Sequence, residues 1–173
     1  MGELQVNNHN IPYKGKYYKL RTDSSLQSSE FVGKTNSYDF TGTDAIPDFE
    51  RDLYCPDQTD LTYTGLENDS LPANASLTLS WTPDPNMPEG AKAGIIISSL
   101  PVPGNSETGS ELIEVDDSEG QHTIKASVLS KYSDNQDITL WYIRGYNELE
   151  EMEGKDINFK FIGYSWTTLL IKE

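Results

Sequence analysis

From Leu77 onward the apolar residues of this chain recur at every second position, and that period constrains the fold more than any other feature. Leu77, Leu79 and Trp81 alternate with Thr78 and Ser80, and successive side chains of a pleated strand point to opposite faces, so the three share one face. The run stops at Thr82-Pro83-Asp84-Pro85-Asn86, where two prolines remove ladder donors. Ala93 to Ser99 contains Ile95-Ile96-Ile97, a β-branched run that suits a strand covered on both faces. Leu112 to Val115 reads as a short strand. Asp116-Asp117-Ser118-Glu119-Gly120 is its hairpin connection, because Gly120 tolerates positive φ, and His122 to Val128 returns. Ile138-Thr139-Leu140-Trp141-Tyr142-Ile143 is the most β-prone run of the chain and is expected centrally.

Two features complicate the C-terminal third. Ile157, Phe159 and Phe161 alternate in one parity, and Ile162, Tyr164 and Trp166 in the other. That switch predicts a bulge or bend near 161–163. Asn147 to Glu153 has one apolar pair, Leu149 and Met152, and is expected to form a single helical turn. Thr167 to Ile171 reads as the last strand.

About seven strands over residues 73–173, separated by turn clusters, fit an all-β, immunoglobulin-like antiparallel β-sandwich. The first 72 residues are poorer in aliphatics and denser in turn formers. They read as short strands at 16–20, 36–40 and 61–64, a flexible loop at 21–30, and a short amphipathic helix at 45–54. The expectation is an irregular, loop-rich N-terminal extension over 1–72, packed on a sandwich over 73–173, because the former has too thin a core to fold alone.

Charge and motif content exclude several classes of function. With 28 acidic against 13 basic residues the chain carries -15, which repels phosphate backbones and argues against nucleic-acid binding. No apolar stretch is long enough for a membrane span. Cys55 is the single cysteine and His9 and His122 the only histidines, so neither a disulfide framework nor a zinc pattern is present. Gly-x-Ser-x-Gly and phosphate-cradling glycine loops are missing too, and the chain reads as non-catalytic.

Two candidate sites remain. Between residues 31 and 72 nine acids meet two bases, and Asp44, Asp48, Glu50 and Asp52, flanked by Asp39, Asp57 and Asp60, form a loop-rich oxygen donor set for a structural calcium ion, the one cofactor the sequence suggests. Their spacing matches no EF-hand. The other resource is aromatic. Trp81, ending an alternating strand, reads as core, whereas Trp141 and Tyr142 must lie on opposite faces, so one of them faces away from the sandwich interior. Trp141, Tyr164 and Trp166 are the candidate ligand platform, since aromatic faces stack on sugar rings. Arg144 is expected to pair with a carboxylate or cap backbone carbonyls.

Four marks between Leu77 and Ile171 resemble an Ig-like domain of gut-bacterial cell-surface lipoproteins: Leu79-Ser80-Trp81 entering the Pro-Asp-Pro-Asn loop, Gly94-Ile95-Ile96-Ile97, Val115-Asp116-Asp117, and Ile138 through Gly145. The resemblance implies a β-sandwich without catalytic residues, in the bacterial cell envelope, at the outer-membrane surface or in the periplasm, with a lipid anchor in the precursor. It further implies a structural or protein-interaction module. The exposed-aromatic reading offers the alternative, a carbohydrate-binding module. The expected partners are accordingly another envelope protein or a glycan.

Overall fold

The β-prone segments dominate the computed structural model, which describes residues 2–15, 28–68, 70–72, 74–99, 110–132 and 137–172. In chain order the strands are β1 (Leu4–Val6), β2 (His9–Ile11), β3 (Lys34–Phe40), β4 (Phe49–Cys55), β5 (Thr62–Thr64), β6 (Ser70–Pro72), β7 (Leu77–Ser80), β8 (Lys92–Ser99), β9 (Ser110–Val115), β10 (Gln121–Ile124), β11 (Asp137–Met152) and β12 (Lys155–Lys172), with one α-helical turn, α1 (Ala126–Leu129), and 3-10 turns at Ser28–Glu30 and Asp117–Glu119. The strand expected at 16–20 and most of the loop expected at 21–30 lie outside the described residues. Among those described, no helix is long and apolar enough to cross a membrane.

The strands form three sheets, ordered β2-β1-β3-β4, β10-β7-β5 and β6-β12-β11-β8-β9. Every pairing is antiparallel except β6 with β12, which is parallel. The long β11–β12 hairpin organises them. Its register runs unbroken from Asp137 opposite Leu170 to Met152 opposite Lys155, and it closes through Glu153 and Gly154, both at positive φ (51° and 73°), the backbone that a tight two-residue hairpin loop requires.

The half of the hairpin near Asp137 packs its inner face on the three-stranded sheet. Ile138, Leu140 and Tyr142 of β11, Leu169 and Ile171 of β12 and Ile95 and Ile97 of β8 meet Leu77, Leu79, Trp81 and Ile124 in one buried cluster. Each such side chain, fully buried, contributes about 1.5–3 kcal/mol. Trp81 stacks on Tyr142 with ring centroids 4.6 Å apart. The Asp116–Gly120 connection does turn the chain, with the Asp116 carboxylate accepting from the Ser118 amide and Gly120 at φ 68°, but it is not the expected hairpin: β9 pairs with β8 and β10 with β7, so the connection crosses from one sheet to the other.

The other half of the hairpin carries its inner face under the N-terminal sheet. Phe49 meets Phe159 at 5.2 Å, and Tyr38 meets Phe161 at 5.6 Å, both edge-on. Arg51 forks onto Glu150 through Nε and Nη2 at 2.9 and 2.7 Å. Behind this layer Val6, Ile11 and Phe31 form a second small cluster. Asn36 is fully buried there and satisfied locally, donating to the Phe31 and Lys34 carbonyls and accepting from Asn7.

Several expectations change. The first 55 residues contain a four-stranded sheet where an irregular extension was expected, because aromatic side chains supply the cover that scarce aliphatics could not. Residues 45–54 hold β4 instead of a helix, and 147–152 continue β11 instead of forming a helical turn; pairing with a neighbouring strand overrides weak helical spacing. β5 and β6 supply edge strands to the second and third sheets, so the sandwich begins before residue 73. The strand expected over 122–128 ends at Ile124 and gives way to α1. No bulge interrupts β12.

Candidate functional site: the outer aromatic face

The missing bulge explains where the aromatics go. With a continuous register, the parity switch at Phe161 and Ile162 means that the apolar residues change sides: Ile157, Phe159 and Phe161 face the N-terminal sheet, and Ile162, Tyr164 and Trp166 face outward. The pairing aligns them with outward residues of the other strands. One row crosses the sheet as Leu112, Ile96, Trp141 and Trp166, the next as Glu114, Gly94, Ile143 and Tyr164, and a third as Lys92, Gly145 and Ile162. Neighbours within a row are about 5 Å apart and successive rows about 7 Å.

This face is apolar and open to solvent. Trp166 is 60 % exposed, Leu112 58 %, Ile162 53 % and Tyr164 51 %. Trp141 is half-buried between its neighbours, with its ring centroid 5.9 Å from that of Trp166 at 34° and 5.6 Å from that of Tyr164 at 56°. The three residues singled out from the sequence therefore come together as one tilted, cross-strand aromatic platform. The sequence missed its aliphatic continuation through Leu112, Ile96, Ile143 and Ile162. The signal was the parity switch itself.

On the inner face, at the boundary between the two halves of the hairpin, lies a buried polar node. Arg144 is 2 % exposed. Its Nη2 donates to the Thr82 carbonyl at 2.9 Å, and Nη1 lies 3.5 Å from Asp117 and 4.0 Å from Asp84. The guanidinium also sits over the Tyr142 ring, 5.2 Å from its centroid, a cation–π contact. Nε has no hydrogen-bond partner among the described residues. Asp84 accepts from the Tyr54 hydroxyl and the Asp57 amide, Asp117 accepts from the Asp84 amide and the Tyr142 hydroxyl, and the Tyr146 hydroxyl donates to the Tyr54 carbonyl. Opposite Arg144, Gly163 lets the Pro56–Asp57 backbone pass close: a Cβ there would lie 3.1 Å from the Asp57 carbonyl. Burial, reinforced by the hydrogen bonds to Asp117 and Asp84, pushes the Tyr142 and Tyr54 hydroxyls well above the ordinary tyrosine range, so both remain donors. The node meets the expectation for Arg144 and joins the N-terminal sheet to the sandwich.

Beside it an open cleft of about 650 Å³ runs between Pro83, Pro85, Met87 and Val115 on one hand and Asp116 and Asp117 on the other. Its two central carboxylates already accept protein donors, Asp116 from Ser118 and Asp117 from Tyr142. The residues considered for calcium are spread over the other end of the molecule. Asp44 lies in the β3–β4 loop, where its carbonyl accepts from Lys155, and Asp48 just before β4. Glu50 and Asp52 stand on β4, opposite Asp39 and Ser37. All four are exposed, and no three His, Cys, Asp or Glu side chains among the described residues are placed to hold a metal ion. The chain matches no protein-family model, and no curated protein shows significant similarity to it.

Proposed function

We propose that this chain is a non-catalytic module of the bacterial cell envelope that binds carbohydrate on the outer face of the five-stranded sheet. One observation carries the reading: Trp141, Tyr164 and Trp166 form an exposed aromatic platform held by two fully paired strands. A rigid strand fixes ring orientation at little entropic cost, and the C–H face of a sugar packs on such rings while its hydroxyls stay hydrated. The strand order also supports an immunoglobulin-like class for the sandwich. β5-β7-β10 faces β6-β12-β11-β8-β9, with the opening edge strands β5 and β6 divided between the two sheets and β6 parallel to the last strand. The cell-envelope location rests on the family resemblance of residues 77–171.

A structural or protein-interaction module is the second reading, favoured by Leu112 and Ile162, exposed aliphatics that extend the apolar face beyond the rings. Glycan-array screening followed by calorimetry separates the two. On the carbohydrate reading the chain retains a polysaccharide, and Trp166→Ala weakens that binding by about tenfold, the equivalent of ~1.4 kcal/mol. Its stability should change by no more than about 0.5 kcal/mol, as expected of an exposed side chain. Absence of glycan binding by the unmodified chain, or binding indifferent to Trp141→Ala and Trp166→Ala together, would overturn it. Self-association abolished by Leu112→Ser and Ile162→Ser would instead support protein docking.

A further inference from the structure

The aromatic platform continues into a trough of about 270 Å³ with Gly94 and Gly145 among its lining residues and Leu112, Ile143 and Ile162 beside them. Both glycines keep it open. A Cβ on Gly94 would come within 2.9 Å of Leu112 Cδ1, and one on Gly145 would collide with the Phe161 carbonyl. Four charged residues line the trough: Lys92, Glu114, Arg144 and Lys160. The Arg144 guanidinium is engaged with Thr82, Asp84 and Asp117, which leaves two ammonium groups and one carboxylate for a ligand.

Among the described residues of this chain of net charge -15, several cations are held by the protein itself, although Lys14, Lys125 and Lys172 are as free of side-chain partners as these two. Arg51 is taken by Glu150, Lys131 by Glu111, and Lys155 by the Asp44 carbonyl. Lys92 and Lys160 are exposed and have no ion pair or hydrogen bond among the described residues. Lys92 stands on β8 opposite Gly145, and Lys160 on β12 opposite Asn147. Two strands and two residues separate their backbones by roughly 12 Å, within the joint reach of two lysine side chains. The row of Trp141 and Trp166 lies four residues along from that of Lys92, roughly 13 Å.

Resting on the carbohydrate reading above, we propose that the ligand is an acidic saccharide, a glycan bearing carboxylate groups. Its rings stack on Trp141, Tyr164 and Trp166, and a carboxylate further along the chain reaches Lys92 and Lys160 across the glycine-lined trough. Glu114, on the β9 side, opposes a second anion there and so sets the position of the first. An extended acidic peptide fits less well, because strand addition uses main-chain groups at a sheet edge, whereas the rings and the trough lie on the sheet face across β8, β11 and β12.

Calorimetry at fixed ionic strength tests this with oligogalacturonate, oligomannuronate, the methyl ester of each, and polyglutamate. The acidic saccharides should bind about tenfold or more tightly than their esters, as charge-assisted hydrogen bonds allow. Lys92→Gln with Lys160→Gln should erase that preference while leaving ester binding, and Trp166→Ala should weaken both forms. Equal affinity for acid and ester overturns the acidic-ligand inference and leaves the carbohydrate reading standing. Polyglutamate binding as tightly as the uronates overturns the saccharide class. Failure of every acid and ester to bind overturns the acidic-ligand inference, and the carbohydrate reading then stands or falls on the glycan array.

Discussion

The two halves of the β11–β12 hairpin share one backbone, paired without interruption over its whole length, yet they are covered by different chemistry. Near Asp137 the inner face is Ile138, Leu140, Tyr142 and Leu169, each at most 4 % exposed and packed against Leu77, Leu79, Trp81 and Ile124. Near the turn it is Tyr146, Phe159 and Phe161, half-buried and touching Tyr38 and Phe49 edge-on. Pairing alone therefore does not make a strand equally stable along its length. Close-packed aliphatics lose most of their water and resist local opening, whereas scattered aromatic contacts keep part of theirs. Arg144 stands where one regime meets the other.

Removing Arg144 should give the largest effect. Arg144→Ala leaves Asp84 and Asp117 facing each other in a buried site and should cost about 3–5 kcal/mol, read as a lowered midpoint in urea denaturation. It should also loosen the joint between the two covers, through Asp84 and Tyr54. A loss under about 1 kcal/mol would mean that the node is not what joins them.

The comparison sharpens with one truncation in each half. Leu140→Ala empties a fully buried position and should cost about 3 kcal/mol. Phe159→Ala removes a half-buried ring and should cost about 1–2 kcal/mol. Hydrogen exchange distinguishes them further: Phe159→Ala should speed exchange in β1, β3 and β4 while β8 keeps its protection, and Leu140→Ala should affect both regions. Uniform acceleration after Phe159→Ala would show that the halves unfold as one.

The smallest effect concerns Cys55 at the end of β4. Burial, with the Asp57 carboxylate adding to it, raises its thiol above the ordinary cysteine value, so the thiol stays protonated at neutral pH. Alkylation by iodoacetamide should be slower than that of a free thiol and accelerate only at higher pH, and Asp57→Asn should shift that acceleration slightly downward. Because the folded state holds this proton more tightly, its contribution to stability is full below the unfolded thiol's pKa and declines as pH rises through the folded one. Alkylation as fast as in a denatured chain would place Cys55 at an already open joint.

Much of the sandwich was legible because its signals lie in short stretches of chain. The alternation of Leu77, Leu79 and Trp81, the strand at the isoleucine run and the turn at Asp116–Gly120 read correctly, since period and turn chemistry are properties of a few adjacent residues, whereas β8 is fully covered on one face only and the turn joins two sheets instead of a hairpin pair. Trp141, Tyr164 and Trp166 were identified as a candidate set by composition and parity, without the register that aligns them. The N-terminal sheet was not legible: Tyr38 and Phe49 are isolated aromatics in polar segments, and their packing partners Phe161 and Phe159 lie more than a hundred residues away. The same distance hid β11 at 147–152, where a hairpin partner and a remote sheet outweigh weak helical spacing.

By itself the sequence determined which residues share a strand face, where the chain turns, and that Trp141 and Tyr142 part company. It did not determine which face is covered. Alternation assigns residues to two sides and is silent on which side meets another sheet, because that depends on segments distant along the chain. Only the tertiary structure decided that Phe159 and Phe161 go under the N-terminal sheet, that Arg144 closes the seam between the covers, and that Ile162, Tyr164 and Trp166 are left facing water.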